Sequence, residues 1–124
     1  MTICEALALV DELKPNAVDR ATKKKWLGDV DGMVVDQLIL THEHESAPAF
    51  TPYGAATDEG TELLIPAPYD TIYRWYVEAQ IHLRNLEMEQ FQNMQSFFNQ
   101  EWAEYKRKYN REHMPLQRAG RMQF

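Results

Sequence analysis

The sequence is poor in cysteine and in long apolar runs. Cys4 is the single cysteine among 124 residues, so no disulfide can form within the chain, and this usage is typical of a reducing compartment. No stretch of about 18 consecutive apolar residues occurs, which predicts that no segment spans a membrane. The N-terminal stretch MTICEALALVDELK lacks a basic start and holds acidic residues among its apolar ones. We therefore expect no secretory signal.

Motifs of the common enzyme classes are also missing. The chain contains neither the G-x-x-x-x-G-K-[ST] phosphate loop nor the G-x-G-x-x-G dinucleotide motif. Its two serines, Ser46 and Ser96, stand outside any G-x-S-x-G turn. The prediction is a protein without catalytic residues, without a cofactor and without a bound metal.

The segment THEHE, residues 41–45, is the strongest argument for a metal or acid/base site. On a helix, His42 and His44 would point about 200° apart, and they share a face only in an extended strand. The zinc motif H-E-x-x-H is absent, because Ser46 stands where its second histidine would be. No third ligand follows at a characteristic spacing. We therefore interpret the segment as a solvated helix end.

A second acidic stretch, DVDG at residues 29–32, matches part of a calcium-binding loop. With Gly32 at the turn position, the first and last ligands of the loop would fall on Leu27 and Leu38, which cannot coordinate calcium. These residues are instead predicted to form the surface of a helix.

Charge is divided unevenly along the chain. The net charge is −6, but residues 1–105 hold 7 basic and 18 acidic residues, whereas residues 106–124 hold 6 basic residues and one acidic residue. A basic end is typical of a segment that contacts an acidic partner, either another subunit or nucleic acid. Alternatively, its first charges only interact with the negative end of a helix dipole. The residues predicted for an acidic-partner or DNA contact are Lys106, Arg107, Lys108, Arg111, Arg118 and Arg121, the last two in a tail at about 113–124.

Apolar spacing predicts an all-α fold of about four helices in one domain, residues 1–124. Thr2 and Glu5 form a capping box before the first helix, and Asp19 is a suitable N-cap for the second, which fades at 41–43. Gly28 and Gly32 lie on one face of that second helix. Because glycine lowers helix stability, we expect a neighbouring helix to approach closely there.

The third helix is predicted to begin after Pro68 and to break near Asn85, where the apolar stripes on either side are out of phase. A fourth helix then returns antiparallel to it and ends at Met114-Pro115. The alternative is a single helix that is kinked near Asn85. The large aromatic residues expected in the core between the longer helices are Trp26, Tyr76 and Trp102.

Residues 44–67 form the predicted long central loop. Within it, Thr61–Ile65 has a β-favouring composition and is expected to form a short β clip, paired with Phe50–Tyr53, with another subunit, or with nothing. We interpret the loop as an arm that contributes to assembly rather than to the stability of the fold. The predicted subunit-interface residues are Leu63, Leu64 and Ile65 from this arm, together with Tyr73 and Trp75 from the third helix.

A family resemblance rests on a series of sequence pieces in order. These are KPN after the first helix, KKKWLGDVDG, ILTHE, TELLIPAPYDTIYRWYVEAQI, and finally F-F-N-Q-E-W followed by Y-N-R-E-H-M-P. Together they span nearly the whole chain and resemble small proteins encoded in head-assembly regions of tailed phages and prophages of Gram-positive bacteria. The chain departs from related sequences at Leu86, where they have glycine.

The resemblance implies a head–tail connector, a virion structural protein without enzymatic activity. Such a protein associates with itself into a ring beneath the portal, extends the DNA channel and offers a platform for the tail-side connector. It would reside at the head–tail junction of the virion after expression in the bacterial cytoplasm. An acidic body would repel phosphates and let duplex DNA pass. Two alternatives are a small helical nucleic-acid-binding or regulatory protein that uses the basic end, and an enzyme that uses residues 41–45.

Overall fold

The computed structural model describes residues 1–41 and 50–113, which form a bundle of four α-helices. These are α1 (Ile3–Leu13), α2 (Arg20–Val34), α3 (Thr71–Arg84) and α4 (Met88–Glu112), and the π-helical stretch Val35–Ile39 continues α2. No β-strand occurs among the described residues, so the prediction of an all-α fold is confirmed.

Side-chain caps start the first two helices as predicted. The Thr2 hydroxyl accepts a hydrogen bond from the backbone N–H of Glu5, and the Glu5 carboxylate accepts one from the backbone N–H of Thr2. Asp19 accepts a hydrogen bond from the N–H of Thr22. These contacts satisfy N–H groups that have no partner within the first helical turn.

The predicted break between the third and fourth helices separates an antiparallel pair. Trp75 contacts Phe97, whereas Thr71, one turn earlier, contacts Glu101, one turn later. Leu86 lies in the connecting turn with a φ of 60°. This left-handed conformation costs a residue with a Cβ about 1 kcal/mol relative to glycine.

Helix α3 lies at the centre of the core and contacts each of the other three helices. Tyr73, Val77 and Ile81 follow one another at intervals of four residues, and each is fully buried. This spacing keeps the three side chains on one face of the helix.

The predicted core aromatics differ in how deeply they lie. Trp102 is buried, whereas Trp26 and Tyr76 are half-buried and pack against the same cluster of apolar side chains. All three therefore contribute to the core, as predicted, although two of them also reach the surface.

The extended segment 61–65 pairs with the N-terminal end of α1, a partner that the sequence did not suggest. The backbone N–H of Ile3 donates to Thr61 O at 3.0 Å, and the N–H of Leu63 donates to Met1 O at 2.9 Å. A single antiparallel bridge between residues 2 and 62 results. The clip is thus one isolated bridge rather than a strand.

The described part of the central loop, residues 50–65, belongs to the fold itself. Leu63 and Ile65 are buried in the main apolar cluster. The prediction that this segment contributes to assembly rather than to stability is therefore wrong for residues 50–65, because their apolar side chains are withdrawn from water within the chain. Residues 44–49 of the predicted arm lie outside the described residues.

The two glycines of α2 face this loop segment. The prediction that a neighbouring helix approaches them closely is therefore wrong. A Cβ at Gly28 would lie 2.9 Å from the backbone nitrogen of Tyr53, which is closer than real side chains pack. A Cβ at Gly32 would lie 3.6 Å from the Phe50 ring, an ordinary contact distance. Of the two positions, therefore, only position 28 requires a glycine, because the backbone of Tyr53 approaches it closely.

Candidate interaction surface

A buried carboxylate, Asp31, connects the loop segment to two helices. Its side chain is fully buried and accepts hydrogen bonds from the Tyr53 hydroxyl at 2.6 Å, the Tyr73 hydroxyl at 2.5 Å and the backbone N–H of Leu64 at 3.2 Å. The Tyr73 hydroxyl in turn accepts from the N–H of Ile65 at 2.7 Å. The prediction that residues 29–32 form helix surface is therefore wrong for Asp31.

The electrostatics of this cluster follow from its burial. Burial raises the pKa of Asp31 above its ordinary value, although its three hydrogen bonds oppose that shift. Burial and the adjacent carboxylate raise the pKa of both Tyr53 and Tyr73. Because the carboxylate is closed off from solvent, we interpret the cluster as a structural one that fixes residues 53–65 to α2 and α3.

The sequence contains a signal for this cluster that pattern analysis missed. Asp31 lies four residues after Leu27 and seven before Leu38, so it occupies the apolar face of α2. A charged residue at such a position requires hydrogen-bond partners inside the protein. Its donors, Tyr53 and Tyr73, are 22 and 42 residues away in sequence, so their identity depends on the tertiary fold.

Of three basic residues near the start of α2, Arg20, Lys23 and Lys24, the first and the last fix the outer side of the same segment. Buried Lys24 donates to the backbone oxygens of Ala55 and Thr57 at 3.3 and 2.9 Å. Arg20 makes two hydrogen bonds to Glu59, at 2.6 and 2.8 Å, and they lower the pKa of Glu59 to about 2. The remaining residue, Lys23, is buried against α1.

Three of the five predicted interface residues lie inside the chain. Tyr73, Leu63 and Ile65 are buried in the core, so a partner cannot reach them while the subunit stays folded. Leu64 is 39% exposed and Trp75 is half-buried. The structure thus leaves these two at the surface and places the other three in the fold.

Trp75 and Phe97 form an aromatic patch at the edge between α3 and α4, which we call the Trp75–Phe97 patch. The two ring centres lie 5.1 Å apart, and Phe97 is 46% exposed. The Trp75 indole N–H donates to Glu101 at 2.8 Å, and the Arg74 guanidinium lies 4.4 Å from the indole ring centre. Gln100, Glu101 and Glu104 border the patch. These contacts hold the indole in one orientation at the surface.

The residues of the predicted basic contact are only partly free. Arg107 and Arg111 are exposed, and Lys106 is half-buried. Lys108 pairs with Glu112 at 2.9 Å, four residues along α4. Arg118 and Arg121 lie outside the described residues, as do His42 and His44 of the THEHE segment.

Neither a cluster of metal ligands nor a membrane-spanning helix occurs in the part of the chain that the structure describes. Within residues 1–41 and 50–113, no group of three or more His, Cys, Asp or Glu side chains is placed to hold a metal ion. Among the same residues, no helix is both long and apolar enough to cross a membrane. Cys4, which these ranges include, is exposed.

Comparison with known proteins gives no family for this chain. No family model matches it, and neither the curated proteins nor the solved structures include a match.

Proposed function

We propose that this protein is a non-enzymatic head–tail connector subunit that associates with copies of itself into a ring between the portal and the tail. The observation that best supports self-association is the Trp75–Phe97 patch. Tryptophan and phenylalanine are enriched where proteins meet, and an aromatic side chain already held in place loses little entropy on binding. The order of sequence pieces from KPN to Y-N-R-E-H-M-P supports the connector class.

A ring requires two different surfaces on each subunit, because each copy must meet the next one head to tail. The border of the Trp75–Phe97 patch carries the acidic residues Glu101 and Glu104. The basic end of the neighbouring subunit, residues 106–124, has the opposite charge. In this proposal that basic end meets the acidic border, so charge sets the direction of association and the aromatic pair supplies the apolar contact.

The acidic body agrees with a ring through which DNA passes. Residues 1–105 hold 11 more acidic than basic residues. A surface of this sign repels phosphate groups and would not retain a duplex inside the channel. Tight DNA binding by the assembled ring is therefore not expected. The portal and the tail-side connector are the remaining partners in this proposal, and the virion is its site of action.

A pair of truncations tests the proposal against a matched control. Trp75→Ala and Phe97→Ala remove the patch, whereas Leu13→Ala removes an apolar side chain of similar exposure, 47% against 46% for Phe97, at another site. We expect electron microscopy at high protein concentration to show closed rings for the parent and Leu13→Ala and none for the patch variants. Circular dichroism should remain helical in all four proteins. Rings that persist in both patch variants, or a parent that forms none even with its portal protein, would contradict the proposal.

The alternative function, binding of nucleic acid, is supported by the exposed Arg107 and Arg111. It predicts that the isolated protein binds duplex DNA, that affinity falls steeply with salt, and that Arg111→Glu weakens binding. The connector proposal predicts weak binding that this substitution hardly changes. The position of the gene separates the two as well, since a connector gene is expected between the capsid and tail genes.

A further inference from the structure

The solvent side of the first half of α4 is unusual in its lack of charge. The chain is 26% charged, yet the eleven residues 90–100 hold no charged side chain, and six of them are Asn or Gln. Solvent-facing helix surfaces normally carry many charged residues. Charged residues are instead depleted where a surface becomes buried against a partner, because removing a charge from water is costly.

One line of residues along this side has a defined geometry. Glu89 and Arg107 are 18 residues apart, which is five full turns of an α-helix, so they lie on the same line about 27 Å apart. Of the side chains between them, those within about 40° of that line are Asn93, Ser96, Gln100 and Ala103. We call this set the α4 stripe, and it consists of Glu89, Asn93, Ser96, Gln100, Ala103 and Arg107. Five of the six are exposed, and Ala103 is half-exposed.

The α4 stripe is complementary to a second copy of itself that runs in the opposite direction. It ends in an acidic residue on one side and a basic residue on the other, with small or amide side chains between. Within residues 1–41 and 50–113, neither Glu89 nor Arg107 has an ion-pair partner. A second α4 laid antiparallel on the first places Glu89 opposite Arg107, Asn93 opposite Ala103 and Ser96 opposite Gln100, and each pairing occurs twice.

We propose that the free protein forms a two-fold dimer through the α4 stripe. The amides of Asn93 and Gln100 both donate and accept hydrogen bonds, so a surface made of them can bind a copy of itself. Ser96 and Ala103 are small enough to let the two helix backbones approach closely. Glu89 and Arg107 form ion pairs at the two rims and select the antiparallel direction over the parallel one.

A second copy of this chain fits the α4 stripe better than nucleic acid does. The stripe has one acid and one base, so it lacks the excess of positive charge that phosphate contacts require. The dimer goes beyond the proposed ring, since a two-fold contact closes on itself and differs from the head-to-tail contact of a ring. Gln100 borders the Trp75–Phe97 patch as well as belonging to the stripe, and Arg107 belongs both to the stripe and to the basic end. Trp75 and Phe97 themselves lie outside the stripe, so Trp75→Ala disrupts the ring contact alone.

A charge exchange tests the dimer directly. Sedimentation velocity should show a concentration-dependent dimer for the parent. Glu89→Arg and Arg107→Glu each place like charges together at both rims, so each should raise the dimer dissociation constant about tenfold or more. The combined variant, Glu89→Arg with Arg107→Glu, restores opposite charges and should recover the affinity of the parent. Added salt should weaken the parent dimer and strengthen association of the single variants.

Glu12→Arg reverses an exposed charge on α1 and should leave the dimer unchanged, whereas Ser96→Arg should abolish it. Circular dichroism and thermal unfolding verify that each variant stays folded. A parent that is monomeric at all concentrations, single variants without effect, or a combined variant as weak as the single ones would overturn the proposal. Trp75→Ala should leave the dimer intact, which keeps failure of the dimer separate from failure of the ring.

Discussion

The loop segment 50–65 and the solvent side of α4 are both rich in polar residues, yet the molecule uses them in opposite ways. The loop segment has no regular secondary structure, but Leu63 and Ile65 lie in the core and its backbone bonds to α1 and α2. The outer side of α4 belongs to a regular helix of 25 residues and contacts little of the remaining described chain. Regular backbone is therefore a poor guide to which segment stabilises the fold.

The difference lies in where each segment satisfies its polar groups. The loop segment does so through buried side chains of α2 and α3, chiefly Asp31 and Lys24, so its position is fixed from both sides. The backbone of α4 satisfies itself within the helix, and its outer side chains remain available. A surface left free in this way can acquire a binding role without cost to folding.

The largest expected effect comes from removing the buried acceptor of the loop segment. Asp31→Ala leaves two tyrosine hydroxyls and the N–H of Leu64 without an acceptor in the interior, so we expect the free energy of unfolding to fall by about 3 kcal/mol. Urea unfolding followed by circular dichroism measures this change. Asp36→Ala, an exposed change in the π-helical continuation of α2, should alter stability by less than about 0.5 kcal/mol. Equal effects of the two substitutions would refute the role assigned to Asp31.

The close approach of the loop to α2 predicts opposite results at two glycines. Gly28→Ala places a Cβ 2.9 Å from the backbone of Tyr53, so we expect a loss of about 2 kcal/mol in unfolding free energy. Gly32→Ala meets only an ordinary contact at 3.6 Å and should gain up to about 1 kcal/mol from better helix propensity. Thermal unfolding of both variants decides the matter, and a stable Gly28→Ala protein would mean that the loop does not lie against α2.

The turn between α3 and α4 offers a smaller gain in stability. Leu86 has a φ of 60° and is 80% exposed, so its side chain contributes little apolar burial to offset the backbone conformation. Leu86→Gly should raise the unfolding free energy by about 0.5 kcal/mol. Leu86→Ala keeps a Cβ and should not raise the unfolding free energy. Chemical denaturation of both variants therefore separates the effect of the backbone conformation from the effect of removing the leucine side chain.

The smallest effect concerns the pH dependence of the loop's outer contact. Arg20 lowers the pKa of Glu59 to about 2, against an ordinary value of 4.5. A lowered pKa in the folded state means that this contact stabilises the protein above pH 4.5 and that the contribution disappears as pH falls through 2. The difference in stability between parent and Glu59→Gln should therefore shrink between these pH values. A difference that stays constant between these pH values would contradict the role of this contact.

The fold was largely predictable because its signals are local. Capping residues at Thr2 and Asp19 depend on neighbours three residues away, and helical periodicity depends on residues three and four apart. The break near Asn85 followed from a change of phase between two apolar stripes. Each of these features requires only the physics of a single helix.

The interface residues were harder to predict because exposure is not a local property. Leu63, Ile65 and Tyr73 have the apolar or aromatic character of interface residues, but the same character suits a core. Their burial results from the pairing of residues 61–63 with the first residues of α1, some 60 positions away. No short-range pattern indicates that contact.

The sequence by itself determined four helices, the side-chain caps of the first two and the break near Asn85, together with an acidic body and a basic end. Only the tertiary structure decided that an irregular loop lies in the core, that Asp31 is the acceptor which holds it, and that Trp75 and the α4 stripe remain at the surface. The physical reason is the distance along the sequence over which each signal acts. Helix signals act over a few residues, whereas burial and hydrogen-bond partnership depend on which distant segments meet.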